Sequence, residues 1–175
     1  MSVTDEVLLS NQKYAATFDK SALAMPPARK IAVLACMDAR LSVEQLLGLK
    51  TGDAHIIRNA GGIATEDALR SLIISHHLLG TQEFLVINHT DCGMVTFQGH
   101  ELLDKLEEKS GTAVIAPVHF HTFKDVEQNV RQQVARIKNH PYVHGVPVRG
   151  FVYDVKSGKL KEVLEASPQA AQRSA

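Results

Sequence analysis

The 175-residue chain has no tryptophan and only three tyrosines and six phenylalanines, so the aromatic platforms on which bases and sugars stack are scarce. A small, non-aromatic substrate is easier to accommodate. It has no excess of either charge, since 19 Lys and Arg balance 19 Asp and Glu. That removes the basic footprint expected of a protein that holds a phosphate backbone or an anionic membrane, and neither nucleic acid nor membrane is an expected partner. It has no long apolar run: the longest, 31–37, falls far short of the ~18 residues that would suggest a spanning helix. The first residues, Met1-Ser2-Val3-Thr4-Asp5-Glu6, carry acid where a secretory signal carries base and then an apolar stretch, which predicts a cytoplasmic protein. Two cysteines, Cys36 and Cys92, are too few for a disulfide framework; in a cytosolic chain such thiols are core residues, nucleophiles or metal ligands.

With 45% apolar and 22% charged residues, the chain has the balance of one domain with a substantial core, expected over 1–165 with a helical arm at its start. The Ser/Ala/Gln-rich tail, 166–175, is expected to be disordered. Continuous apolar runs at 31–35 and 83–88, and a shorter one at 54–57, read as strands buried on both faces of a parallel sheet. Between them lie a short helix at 43–49, ended near Gly48, and a stronger one at 66–79. Thr65 caps the stronger helix, Glu66 and Asp67 occupy its first turn and Gly80 closes it. This alternation predicts an α/β architecture with helices on the sheet faces. Helical spacing recurs at 101–109 and 125–139, and 149–155 with 159–164 reads as a hairpin turned at Lys156-Ser157-Gly158. The first ~20 residues form an amphipathic helix with Val7, Leu8, Tyr14 and Phe18 on its apolar side.

Both long strands run straight into polar clusters: Cys36-Met37-Asp38-Ala39-Arg40 after the first, His89-Thr90-Asp91-Cys92-Gly93 after the other. Ligands of open α/β sheets bind at the carboxyl ends of strands, and adjacent strands ~4.8 Å apart allow side chains from two ends to meet at one ion. Cys36, His89 and Cys92 make a set of two thiolates and one imidazole, which suits tetrahedral zinc and leaves a fourth position for water, the arrangement of a catalytic site. Asp38 is spaced to accept a hydrogen bond from the attacking oxygen, and Arg40 to hold that carboxylate ionised. Without Arg40, Asp38 could swing onto the metal and close the site.

Cys-Met-Asp-Ala-Arg at 36–40, Arg-Asn-Ala-Gly-Gly at 58–62 and His-Thr-Asp-Cys-Gly-Met at 89–94, in this order and spacing, resemble the β-class carbonic anhydrases, especially their small archaeal and actinobacterial branch. The likeness spans about 11–162. It implies one Zn²⁺ per chain on Cys36, His89 and Cys92, an Asp38–Arg40 catalytic dyad, and a mostly parallel sheet of four strands plus an antiparallel edge strand, flanked by helices. It further implies an obligate homodimer, in some members a dimer of dimers, with sites at the subunit interface, and reversible hydration of carbon dioxide to bicarbonate by a zinc-bound hydroxide. Plant-type members have a substrate-binding Gln nine residues before the first Cys, and Pro27 stands there in this chain; the Gly93 N–H is the expected substitute donor. A bicarbonate-binding regulatory site uses a Trp that this chain lacks.

Two other readings remain open: hydrolysis of carbonyl sulfide or carbon disulfide by the same metal chemistry, and a non-catalytic zinc-binding dimer with Asp38 as fourth ligand. Asp91 tilts the substrate towards carbon dioxide, since the sulfide-hydrolase relative departs from the carbonic anhydrases at this residue. Gly61 and Gly62 serve either as a turn needing positive φ or as substrate-lining residues. Adjacent His76 and His77 point in different directions and are read as packing or solvent residues. His55, His119 and His121 are read as surface residues, with a proton relay through the last two as the alternative.

Overall fold

The parallel strands form where apolar residues are consecutive, because a strand covered on both faces has no solvent side to make polar. In the computed structural model, which describes residues 1–112 and 119–164, β1 (Ile31–Cys36), β2 (Ala54–Asn59), β3 (Glu83–His89) and β4 (Val148–Tyr153) are parallel, and β5 (Leu160–Glu162) joins antiparallel. The order across the sheet is β2-β1-β3-β4-β5, and its four parallel strands with an antiparallel edge strand are what the family resemblance implies. The expected tail lies outside the described residues.

Alternation along β1 supplies both faces. Ala32 and Leu34 join Phe84 and Val86 of β3 beneath α3 (Glu66–Leu79) and α5 (Val126–Lys138); Val33 and Ala35 join Ile87 beneath α2 (Val43–Leu47). Each such Leu, Val or Phe contributes roughly 1.5–3 kcal/mol by leaving water. The 3.6-residue spacing read in the sequence places Val130, Val134 and Ile137 of α5 inward, along with Asn129 and Gln133. Gly150 of β4 lets that helix come close, because a Cβ there would collide with Val130 and Val134. Thr65 and Asp125 cap α3 and α5 by accepting from the N–H groups of Ala68 and Gln128, and Gly80 ends α3 at φ 74°.

Several boundaries differ from the sequence expectation, and two have a specific local cause. Strand β2 continues to Asn59, since Asn59 pairs with Cys36 and its carbonyl accepts from Met37 N–H. Helix α4 (Gly99–Ser110) begins two residues early because Gln98 and Glu101 form a reciprocal cap. Helix α1 (Val3–Ala16) is present, closed at its start by Ser2 and Asp5, but buries no residue. Among the described residues, no helix is long and apolar enough to cross a membrane.

Candidate active site and metal centre

The site forms where β1 and β3, adjacent and in parallel register, run out of strand. Cys36 is the last residue of β1, His89 the last of β3, and Cys92 follows after a tight turn that puts Asp91 at φ 56°, a left-handed conformation that aspartate tolerates. The ligand atoms of Cys36, His89 and Cys92 all lie within 4.8 Å of one another, and all three residues are buried. The His89 Nδ1–H donates to the Thr90 carbonyl at 2.9 Å, which fixes the tautomer and leaves Nε2 as acceptor. Nε2 is buried and, alone among the buried side-chain N and O atoms of the described residues, has no hydrogen-bond partner. A buried imidazole nitrogen without a partner costs about 1–3 kcal/mol. An electrophile between it and the two sulfurs removes that cost, and two soft thiolates with one imidazole select zinc over magnesium or calcium. The donor set therefore fits the ion the sequence predicts.

Hydrogen bonding with Cys92 brings the Cys36 thiol down to about 4 against the opposing effect of burial. Cys92 is pushed up, by its bond to Cys36 and by burial. For His89, burial acts downward, yet the neighbouring Cys36 sulfur and Asp38 carboxylate leave the balance raised.

Asp38 and Arg40 meet as expected. Arg40 donates from its backbone N–H and Nε to Asp38 Oδ1, each at 2.9 Å, and from Nη2 to Oδ2 at 2.8 Å. That guanidinium holds the Asp38 carboxyl far below the usual carboxylate range. Asp38 Oδ2 lies 3.7 Å from His89 Nε2, so the carboxylate stands beside the metal-ligand set. The sequence reading did not foresee two partners. Arg40 also donates to Asp91 Oδ2 at 2.8 Å and to its carbonyl at 2.9 Å, tying the loops after β1 and β3 together. Arg58 donates to the carbonyls of Cys36 (3.0 Å) and Asp38 (2.7 Å), fixing the backbone between them. Arg58 sits in the quoted Arg-Asn-Ala-Gly-Gly motif, and its register opposite Ala35 was the signal that could have located it.

A cavity of about 340 Å³ opens on these groups, walled by Met37, Ala60, Gly61, Gly93, Met94 and Phe97. Gly61 and Gly93 are thus on the wall, whereas Gly62 is not: it turns inward at φ 60°, where a Cβ would lie 2.6 Å from Asn88 Nδ2 and 3.1 Å from Cys36 N. Of the two roles read for Gly62, its geometry fits the turn. The other histidines stand apart from the three-ligand group: His55 bonds Ser75, His76 the Thr81 carbonyl and His77 the Tyr142 carbonyl, while His119 and His121 are exposed.

A family profile described as carbonic anhydrase matches residues 31–160, from the first residue of β1 to the first of β5. The chain belongs to the carbonic anhydrase family. Beta-carbonic anhydrase 1 of Mycobacterium bovis is 47% identical to it over 165 residues, covering 93% of this chain and 99% of that protein. A carbon disulfide hydrolase of Saccharolobus solfataricus is 38% identical over 162 residues, 79% of each chain. Among solved structures, the carbonic anhydrase of Streptococcus mutans superposes with a TM-score of 0.88 at 40% identity, over 94% of this chain and 99% of that one. The motif resemblance and the α/β fold expected from it are borne out, and this carbonic anhydrase family member lies close to carbon disulfide hydrolases as well.

Proposed function

We propose that the chain interconverts carbon dioxide and bicarbonate, with one zinc ion per chain held by Cys36, His89 and Cys92. The observation that carries this reading is the buried, partnerless Nε2 of His89 set between two cysteine sulfurs at the floor of an open cavity. A zinc ion held by these three residues would supply Lewis acidity, making water nucleophilic near neutral pH. The protein's own groups do the rest. Asp38, ionised by Arg40, accepts the nucleophile's hydrogen bond and so aims an oxygen lone pair into the cavity. The Arg40 bonds to Asp91 and the Arg58 bonds to the Cys36 and Asp38 carbonyls keep that carboxylate from drifting, which is what preorganisation requires. The apolar wall of Met37, Ala60, Met94 and Phe97 accepts a neutral, linear molecule, and the Gly93 N–H is the donor for an oxygen gaining charge.

The Arg40 clamp also weighs against a closed, non-catalytic site, because both Asp38 oxygens are engaged by the guanidinium. A second reading, hydrolysis of carbonyl sulfide or carbon disulfide, is favoured by the two thioether-bearing walls, Met37 and Met94, and by the likeness to carbon disulfide hydrolase. Both reactions begin with oxygen attack on the carbon of a linear triatomic. Stopped-flow hydration of carbon dioxide, run beside sulfide release from carbonyl sulfide and carbon disulfide, tests the proposal. A carbon dioxide kcat/KM above the other two supports it, and the reverse order moves the chain to hydrolysis.

The assembly belongs to the same proposal. Helix α1 leaves Val3, Val7, Leu8 and Leu9 exposed, and a partner subunit that covers them is the reading consistent with a homodimer.

A further inference from the structure

Three buried amides stand in a row between α5 and the loop that walls the site, and the reaction as described uses none of them. Asn88, Asn129 and Gln133 are each at most 7% exposed. Their hydrogen bonds run in one direction: Ala64 N–H donates to Gln133 Oε1 (3.0 Å), Gln133 Nε2 to Asn129 Oδ1 (2.8 Å), Asn129 Nδ2 to Asn88 Oδ1 (2.7 Å) and Asn88 Nδ2 to the Gly61 carbonyl (2.8 Å). The row begins on the backbone of Ala64 and ends on the backbone of Gly61, so it closes a ring around the 61–64 loop. Inside that ring Asn59 takes both backbone groups of Ile63, its Oδ1 accepting from N–H and its Nδ2 donating to the carbonyl, each at 2.7 Å. Hydrogen bonds aligned head to tail polarise one another, and in a buried site every broken link leaves an unmatched polar group.

The loop so held has little freedom to rest elsewhere. Gly61 is at φ 83° and Gly62 at φ 60°, and the position of a Gly62 Cβ lies 3.1 Å from both Ala35 C and Cys36 N. Gly61 forms part of the cavity wall beside Cys36. The geometry points to Asn129 and Gln133 of α5, acting through Asn88, as positioning residues that hold the Gly61–Gly62 turn against the backbone at the end of β1 and so keep the cavity wall in place. The inference rests on the proposed reading of the cavity as a metal-dependent reaction site. Buried polar groups of this kind do more than fill space: apolar residues would pack the α5–β3 contact as well, without specifying the loop.

The test uses the full-length protein with zinc, and the same protein loaded with cobalt(II) as a spectroscopic probe. Asn129→Leu breaks both inner links, and the near-isosteric Gln133→Met breaks the outer link to Ala64 together with the bond to Asn129, which keeps the test open should the first fail to fold. Ile137→Ala removes packing at the far end of α5, outside the row, and is the control for general loosening. Outer-sphere hydrogen bonds to metal sites affect function by about 10–100-fold. We expect kcat/KM to fall about 10-fold in Asn129→Leu and Gln133→Met, the thiolate-to-cobalt charge-transfer band to shift, and amide hydrogen exchange at Gly61 and Ala64 to quicken at least about 10-fold relative to Ile137→Ala. Values within two-fold of the control in all three measurements overturn the inference and leave the amides as ordinary core bonds. Should the unaltered protein bind no cobalt and turn over none of the three substrates, the reading of the cavity fails instead. Hydrogen exchange at Gly61 and Ala64 then decides the amide row by itself, faster exchange supporting it and unchanged exchange overturning it.

Discussion

At the carboxyl edge of β1 and β3, nearly every polar atom has a partner and the ligand residues are buried; in α1, fourteen residues long, none is buried and the apolar side chains face outward. Both segments obey the same local rules, with a good cap at the helix and apolar runs in the strands. The difference lies in what covers them. The strands are enclosed by helices of their own chain, whereas a lone helix of this length is marginal in water and is stabilised chiefly by the surface it packs on. The contrast teaches that the three ligand residues are placed by one chain's own strands while the arm is written for a surface outside that chain. It also predicts a hierarchy: changes at the strand ends act on chemistry with the fold kept, changes in α1 act on assembly.

The largest effect is expected at the ligands. Cys92→Ser exchanges a soft donor for a hard hydroxyl, and we expect zinc content to fall below about a tenth per chain and carbon dioxide hydration to drop by at least about a thousand-fold. Elemental analysis and stopped-flow kinetics read the two together. Full zinc with near-normal turnover in this variant would remove the three-ligand site from the mechanism. One step smaller is Asp38→Asn. It keeps the shape and the three ligands but takes away the ionised acceptor, so turnover should fall about a hundred-fold at every pH while most of the zinc stays bound. If both zinc and activity disappear, Asp38 holds the metal and does not orient the nucleophile.

The order of these effects explains what was legible beforehand. Cys36, Asp38, Arg40, His89 and Cys92 sit directly after apolar runs, so their place at the sheet edge follows from where the strands stop, and the four parallel strands with an antiparallel edge strand followed from the motif resemblance. Arg58, Asp91 and the amides at 88, 129 and 133 act through pairings between segments distant in sequence, such as the 51-residue separation of Arg40 and Asp91. Nothing in local composition marks Asn88 in a buried strand as the donor to a loop carbonyl, or Asn129 on a buried helix face as the partner of Asn88. The two roles of Gly62 stayed open for a related reason: sequence shows that a glycine turn is needed, but only the packing of Asn88 and the start of the 36–40 loop shows which of two glycines faces the cavity.

The third test sharpens the comparison from the side of the arm. Leu8→Asp places a charge on the exposed apolar face of α1, and we expect light scattering to move from twice the 19.1 kDa chain mass towards a single chain. Activity per chain should fall by about 10-fold at nanomolar concentration, where dissociation is most complete, and the cooperative unfolding of the sheet should persist. A variant that stays dimeric would show that α1 is not the covering element.

The smallest effect is expected at the sheet's other edge. Arg149 of β4 donates from Nε and Nη2 to the two oxygens of Glu162 on β5, each at 2.7 Å, and lies near the start of β4, away from the strand ends that carry the site. The hydrogen bonds from Arg149 hold the Glu162 carboxyl below its ordinary value. A group whose folded value is depressed contributes stability above its unfolded value, about 4.3, and loses that contribution as pH falls through the folded value. Both partners are solvent-exposed and screened, so the contribution is small. Glu162→Gln should therefore lower the thermal midpoint slightly at pH 7, and the gap from the unaltered protein should narrow and close as the pH is lowered past the carboxylate range. Its kcat/KM at pH 7 should match the unaltered protein, since no bond of the pair reaches Thr90 or Asp38. A gap that widens on acidification would reverse the sign of the linkage, and a changed kcat/KM would break the separation between the enclosed strand ends and the solvent-exposed margins of the fold.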